Sequence, residues 1–387
     1  MPALARISDA LDAALADTGV PGAVAMVVNA EGVLHASAHG TRAAGDAAPM
    51  TLDTVFRLFS MTKAIGSTMA MKLVEDRLLS LDTPVAEILP DFAQIQVLDG
   101  WDGDAPRLRA PRTPCTLRHL ATHTSGLTYD IWNEGQHRYT QATGGKPTLS
   151  GDKSALQCFP MQFDPGTAWA YGMGTDWLGL MVEAATGAPI GDVLEDALFA
   201  PLGMTDTSLT FRPDMTDRKA AVHANGPEGF KVIGMELPQA PEFFGMGHAL
   251  NGTAPDYARF CRMILRGGEL DGTRVLAPAT VTAMLQNAMG DLRLTPQPTQ
   301  NPGLGADIDL FPEVEKTHTP AFMRVEADVP GRRRAGSVGW AGLLNTHFWI
   351  DPAGDRAGVL LMQHLPFIDP AAVAVYDAFE RAVYADA

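Results

Sequence analysis

Apolar residues recur along the chain with two periods, and the changes of period divide it into segments. The opening stretch, MPALARISDALDAALADTG, has the 3.6-residue apolar spacing of an amphipathic helix. Residues 22–29 and 33–39 are apolar runs separated by Ala30-Glu31-Gly32, the pattern of a two-stranded hairpin. From Thr54 onward the chain turns helical, with Ala64, Ile65, Met69 and Leu73 on one face. Helical spacing returns at 116–122, 174–186, 190–198, 255–266 and 278–287. Residues 322–329, 345–351 and 357–363 read as strands, and a helix over 370–384 closes the chain. Residues 94–115 and 128–168 are rich in Pro, Gly, Asp and Thr. They are too long for simple connections and too apolar for linkers, so they read as ordered loops over a site.

Strands at both ends, with helices and loops between, predict an α+β fold whose sheet is discontinuous in sequence. Residues 1–75 and 285–387 would form an α/β domain, an antiparallel sheet flanked by the terminal helices. Residues 76–284 would form a mostly helical domain with long loops. The cleft between the two is the expected binding site.

Composition narrows the function. The 387 residues are 46% hydrophobic and 19% charged, enough to bury a sizeable core. A net charge of −16 argues against nucleic acid or an anionic membrane as the main partner. Cys115, Cys158 and Cys261 are odd in number and far apart, implying neither a disulfide framework nor a zinc cluster. No basic segment followed by an apolar one opens the chain, and no run of 18 apolar residues occurs, so a cytoplasmic location is expected.

Ser60-Met61-Thr62-Lys63 is the first candidate for chemistry. Three residues apart on a helix, serine and lysine share a face. A lysine can take the serine proton once apolar surroundings remove its solvation, and Val55, Phe56, Leu58 and Phe59 are apolar. The spacing alone does not decide, because Ser150-Gly151-Asp152-Lys153 matches it equally well. That second copy sits in a polar loop beside an acid, where lysine stays charged and solvated, and it reads as a decoy. His119 and His123, spaced i, i+4, read as structural histidines rather than metal ligands, with no HExxH and no third ligand. Arg332, Arg333 and Arg334 read as a solvated turn rather than an anion clamp. Met161, Met173, Met246 and Trp177 read as core, with Met173 and Met246 also candidates to line the acyl site.

Three further segments accompany SMTK in order: LRHLATHTSGL at 117–127, DPGTAWAY at 164–171 and GWAGLLNT at 339–346. Together they resemble the serine β-lactamase and penicillin-binding protein superfamily, and within it the class C-like family VIII carboxylesterases. The resemblance covers roughly residues 5–385 and implies a β-lactamase/transpeptidase-like fold. It implies Ser60 as nucleophile, Lys63 as its proton partner and Tyr171 as relay to the leaving group. It also implies an oxyanion hole from the backbone N–H groups of Ser60 and Leu343, with Trp340 and Gly342 in the third motif. No metal or cofactor is required. Met173, Tyr129 and Gly247 are candidate substrate contacts, Gly247 within the cleft-lining segment GMGHALNGTAPDY, and Trp132 shares the loop of Tyr129.

Two departures matter. Met173 stands where the lactamases carry Asn, and Trp340 where they carry Lys. Both remove polar partners for a β-lactam. The expected activity is therefore hydrolysis of short-chain esters through an acyl-enzyme on Ser60. The alternatives are a β-lactamase or D-amino acid peptidase/amidase of the same fold, and a non-catalytic penicillin-binding-like module.

Overall fold

A computed structural model describes residues 3–385, so Met1 and Pro2 of the first expected helix, and the last two residues, lie outside the described residues. The elements that position the site are α1 (Ala3–Thr18), β1 (Gly22–Val28), β2 (Val33–Gly40), α2 (Thr62–Glu75), α3 (Gly174–Thr186) and α4 (Ala254–Leu265). They continue with β3 (Lys316–His318), β4 (Met323–Val325), β5 (Val338–Gly342), β6 (Thr346–Asp351), β7 (Arg356–Leu361) and α5 (Pro370–Tyr384). One antiparallel sheet of order β3-β4-β5-β6-β7-β1-β2 joins the two ends of the chain, with Met26 facing Val359 across β1 and β7. This is the β-lactamase/transpeptidase-like fold that the motifs imply.

Burial explains the sheet. Every residue of β1 is buried, because α1 and α5 pack together beside the sheet while α4 packs against β1, β6 and β7. Gly358 lets the β6 Trp349 ring lie flat on the next strand, since a Cβ there would stand 2.1 Å from the ring. The Trp349 indole then donates to Tyr384 Oη at 3.1 Å, which donates to Asp351 at 2.9 Å. Helix α5 starts at the cap of Asp369, whose carboxylate accepts the Ala372 N–H at 3.0 Å.

Several local expectations change. Helix α2 begins at Thr62, not near Thr54, because Phe56 and Arg57 pair as a short strand with Asn251 and Gly252. The loops at 94–115 and 128–168 contain a hairpin (Val97–Asp102 with Ala105–Arg109) and the helices Glu134–Thr143 and Lys153–Gln157. Val338–Gly342, which carries the start of the GWAGLLNT motif, is a strand, β5, and neither it nor β3 was anticipated. The strand over 322–329 shrinks to Met323–Val325, and the helix over 190–198 is α-helical only across Ile190–Leu194 before widening.

The arginine run is the largest correction. Arg333 is buried, 1% exposed, and its Nε donates to the fully buried Glu380 of α5 at 2.7 Å while the guanidinium lies over Trp349. Only Arg334 is exposed as a turn implies; the Arg332 side chain is 15% exposed and pairs with Glu313 and Asp377. The fold tolerates a charge here because Glu380, Tyr376 and the Trp349 face replace water around it. Removing one partner leaves the other buried and unpaired. Arg333→Met should therefore lower urea-unfolding stability by about 3–5 kcal/mol, whereas Arg334→Met should change it by less than about 1 kcal/mol.

Candidate active site

Ser60 lies on a tight turn of three residues, Phe59–Met61, immediately before α2. Phe59 adopts φ +45°, a conformation that costs a non-glycine residue on the order of 1–3 kcal/mol and persists only where surroundings enforce it. Those surroundings are visible. The Leu58 N–H donates to Leu250 O at 2.9 Å, Thr346 Oγ1 donates to Leu58 O at 3.1 Å, and Tyr257 Oη donates to Met61 O at 2.9 Å. Gly342 lets β5 approach this turn, since a Cβ there would lie 2.2 Å from Leu58 O. Its observed contact is thus with the backbone beside the serine.

The loop over 117–127 and the segment ending at Tyr171 run side by side. The Ala170 N–H donates to His123 O at 3.0 Å and the Tyr129 N–H to Tyr171 O at 3.3 Å. A Cβ on Gly172 would stand 1.9 Å from Leu127 O, so only glycine allows this approach. Tyr129 and Tyr171 consequently sit with ring centroids 5.2 Å apart.

Three expected residues converge. Tyr171 Oη donates to Ser60 Oγ at 2.6 Å, and Lys63 Nζ donates to the same oxygen at 3.1 Å. Lys63 Nζ also donates to Tyr129 Oη at 3.0 Å and to Gly247 O at 2.9 Å. The Trp340 indole N–H reaches Tyr171 Oη at 3.2 Å. Burial raises the Tyr129 phenol well above its ordinary range, with Asp176 and Tyr171 adding to the effect, so it stays protonated. Ser60 opens into a small cavity of about 60 Å³, lined among others by Phe59, Ile131, Trp132, Leu343 and Phe367. Among the described residues the N–H groups of Ser60 and Leu343 donate to no backbone carbonyl. The decoy stays apart: Lys153 is exposed and Ser150 Oγ accepts the Asp152 N–H at 3.3 Å.

With this geometry in view, the comparisons decide the family. The sequence matches the Beta-lactamase family over residues 7–382. The chain belongs to this family. Its relatives include monacolin J acid methylbutanoyltransferase from Aspergillus terreus, 33% identical over 395 residues (95% of this chain, 92% of that protein). Lovastatin esterase from Penicillium rubens is 31% identical over 376 residues, 91% of each chain. The solved structure of simvastatin synthase (LovD) from Aspergillus terreus superimposes with a TM-score of 0.84 at 27% identity, covering 100% of this chain and 98% of that one. EstCE1, described as a hydrolase with promiscuous acyltransferase activity, shares the fold at TM-score 0.77 and 23% identity, with 98% of each chain covered. The family is thus one of β-lactamase-fold serine hydrolases and acyltransferases, within the serine β-lactamase and penicillin-binding protein superfamily.

The other motif positions separate in this member of the family. Trp340 meets Tyr171 but does not line the Ser60 cavity, and Met173 lines a neighbouring cavity that shares Tyr129, Ile131, Thr148 and Leu149 as a wall. Met246 is core only: it wedges between α2 and α3, where Cβ atoms on Gly66 and Gly179 would come within 2.8 and 2.6 Å of it. Gly247 faces Lys63 through its carbonyl and Asp176 through its N–H, which donates to Oδ1 at 2.6 Å. Asp176, fully buried in the first turn of α3, was not anticipated, nor was its neighbour His248. Their one sequence signal was position, five residues after Tyr171 and inside the glycine-rich segment of Gly247.

His119 and His123 do not share a helix face. The helix is Leu117–Ala121, His119 Nδ1 accepts the Thr116 N–H at 3.2 Å, and His123 follows with φ +57°. His123 instead stacks edge-on with Tyr171 at 5.1 Å and with His318 at 5.0 Å. Burial pushes the His318 imidazole down to about 4, partly opposed by its hydrogen bond to Thr319 O. A folded-state value below the unfolded 6.5 means stabilisation is complete above pH 6.5 and is lost as pH falls through 4. This one group accounts for on the order of 3 kcal/mol. The urea midpoint should fall across that window, and His318→Asn should flatten the fall; an unchanged slope would count against a neutral buried histidine here.

Proposed function

We propose that this protein is a serine carboxylesterase for short-chain esters, working through an acyl-enzyme on Ser60. The observation that carries the reading is the pair of hydrogen bonds on Ser60 Oγ, from Tyr171 Oη at 2.6 Å and Lys63 Nζ at 3.1 Å, at the mouth of an apolar cavity. As Oγ attacks an ester carbonyl, Tyr171 Oη takes its proton and hands its own to the departing alcohol, while Lys63 Nζ donates to Oγ and steadies the charge that develops during the exchange. The Trp340 N–H stabilises charge that develops on the Tyr171 oxygen during this transfer. The N–H groups of Ser60 and Leu343 stabilise the oxyanion of the tetrahedral stage. The small volume beside Ser60 supports a short acyl chain, and the adjoining cavity across Tyr129 gives the alcohol portion a place.

Acyl transfer to an alcohol acceptor is the second reading. It is favoured by the similarity to monacolin J acid methylbutanoyltransferase, and it needs only that an alcohol replace water in the second half-reaction. β-Lactam hydrolysis is disfavoured on electrostatic grounds. Among the described residues no lysine or arginine lines the Ser60 cavity; Lys63 beside it has acceptors for its three N–H groups, Lys146 of the adjoining cavity pairs with Asp152, and Arg333 pairs with Glu380. A lactam carboxylate and amide would lose water without gaining partners, at about 1–3 kcal/mol per group.

Two measurements test the reading. Ser60→Ala should abolish hydrolysis of an aryl butyrate while Ser150→Ala leaves it intact. Lys63→Ala and Tyr171→Phe should each cost on the order of 10²–10⁴-fold, with the double variant little worse than the weaker single one. Additive losses would argue against a shared relay. In kcat/KM, butyrate should exceed laurate and both should exceed a chromogenic cephalosporin; cephalosporin turnover matching butyrate would overturn the preference.

A further inference from the structure

The Ser60 cavity has one titratable wall residue without a hydrogen-bond partner. Ser60, Tyr129 and Tyr171 are tied to one another through Lys63. His248 lines the same cavity, is 7% exposed, and its ring makes no hydrogen bond among the described residues. Its Nδ1 stands 3.8 Å from Asp176 Oδ1, longer than a hydrogen bond but of the order that tightens when a substrate arrives. The arrangement is built rather than incidental. Asp176 is fully buried, its Oδ2 has no partner, and its Oδ1 is fixed by the Gly247 N–H. Gly245 makes room for both groups, because a Cβ there would lie 2.4 Å from the His248 Cε1 and 2.6 Å from Asp176 Oδ1.

We propose that His248, oriented by Asp176, is the base of the second half-reaction, taking the proton of the water or alcohol that attacks the acyl group on Ser60. The inference rests on the acyl-enzyme reading above. With Nδ1 turned to Asp176, Nε2 is the ring nitrogen left for the cavity. Burial pushes the imidazole below its ordinary 6.5; Asp176 opposes this and Lys63 reinforces it, so the ring is neutral and able to accept a proton near pH 7. The balance is closed. The nucleophile's oxygen bonds to the acyl carbon as its proton moves to Nε2, the bond from that carbon to Oγ breaks, and Tyr171 reprotonates Oγ. The proton on His248 then restores Tyr171. The division suits the geometry, because Tyr171 is held on the serine side by Trp340 while His248 occupies another wall.

The test is rapid-mixing hydrolysis of p-nitrophenyl butyrate, with intact-mass measurement of the quenched protein. For His248→Ala and the bulkier His248→Gln, kcat should fall on the order of 10²-fold or more, while kcat/KM, which reports acylation, stays within roughly threefold. A burst of about one equivalent of p-nitrophenol should appear, with a butyryl adduct on Ser60. Hydroxylamine, a nucleophile that needs no base, should restore turnover. Equal losses in kcat and kcat/KM without a burst in both variants, or unchanged kcat in both, would overturn the role of His248. Failure of the wild-type protein to release p-nitrophenol in a Ser60-dependent way would instead overturn the acyl-enzyme reading and this inference with it.

Discussion

A buried lysine must satisfy three N–H donors without water, and the site is organised around that requirement. Lys63 is 3% exposed, and its three acceptors are Ser60 Oγ, Tyr129 Oη and Gly247 O. They come from three separate parts of the chain. Moving any of these segments leaves a donor unpaired in a low-dielectric interior, which is costly for a charged group. The lysine therefore holds the Ser60 turn, the 117–132 loop and the 245–250 loop together, and a group proposed for chemistry also fixes the geometry.

Close backbone approach is what brings those segments within reach. Gly342 lets β5 press against Leu58, Gly172 lets Tyr171 lie beside the Leu127 carbonyl, and Gly66 and Gly179 admit Met246 between α2 and α3. Met246 in turn anchors the loop whose next residue is the Lys63 acceptor. The strain at Phe59 is maintained by the same contacts, through the bonds to Leu58 and Met61. Strain sits next to Ser60 because surrounding structure over-determines that turn.

Charge placement then separates structural from chemical groups. The buried Arg333–Glu380 pair belongs to the packing of α5 on the sheet and lies apart from the residues lining the cavity. Among the described residues the buried Asp176 has no such cationic mate; its neighbours are a backbone N–H and an imidazole. A carboxylate left half-satisfied behind the Ser60 cavity is a different object from one in an ion pair, although both are buried acids.

The sequence by itself determined the elements with a strong local period, and the candidate nucleophile. The hairpin, α3, α4, β6, β7 and α5 were legible because their apolar spacing follows from their own backbone geometry. Ser60 was separated from Ser150 by the apolarity of its neighbours, a property also written locally. Tyr171, Trp340 and Leu343 were legible only through the order of motifs. Tertiary structure alone decided that Arg333 is buried, that α2 starts at Thr62 and that His119 and His123 part company. It also decided that Tyr129 is a partner of Lys63 and that Asp176 meets His248. Each of these outcomes depends on a contact between segments distant in the chain, such as Arg333 with Glu380, Phe56 with Gly252 or Lys63 with Gly247. Local periodicity carries no information about which distant segment will supply a partner, and the free energy of a buried polar group depends on that partner.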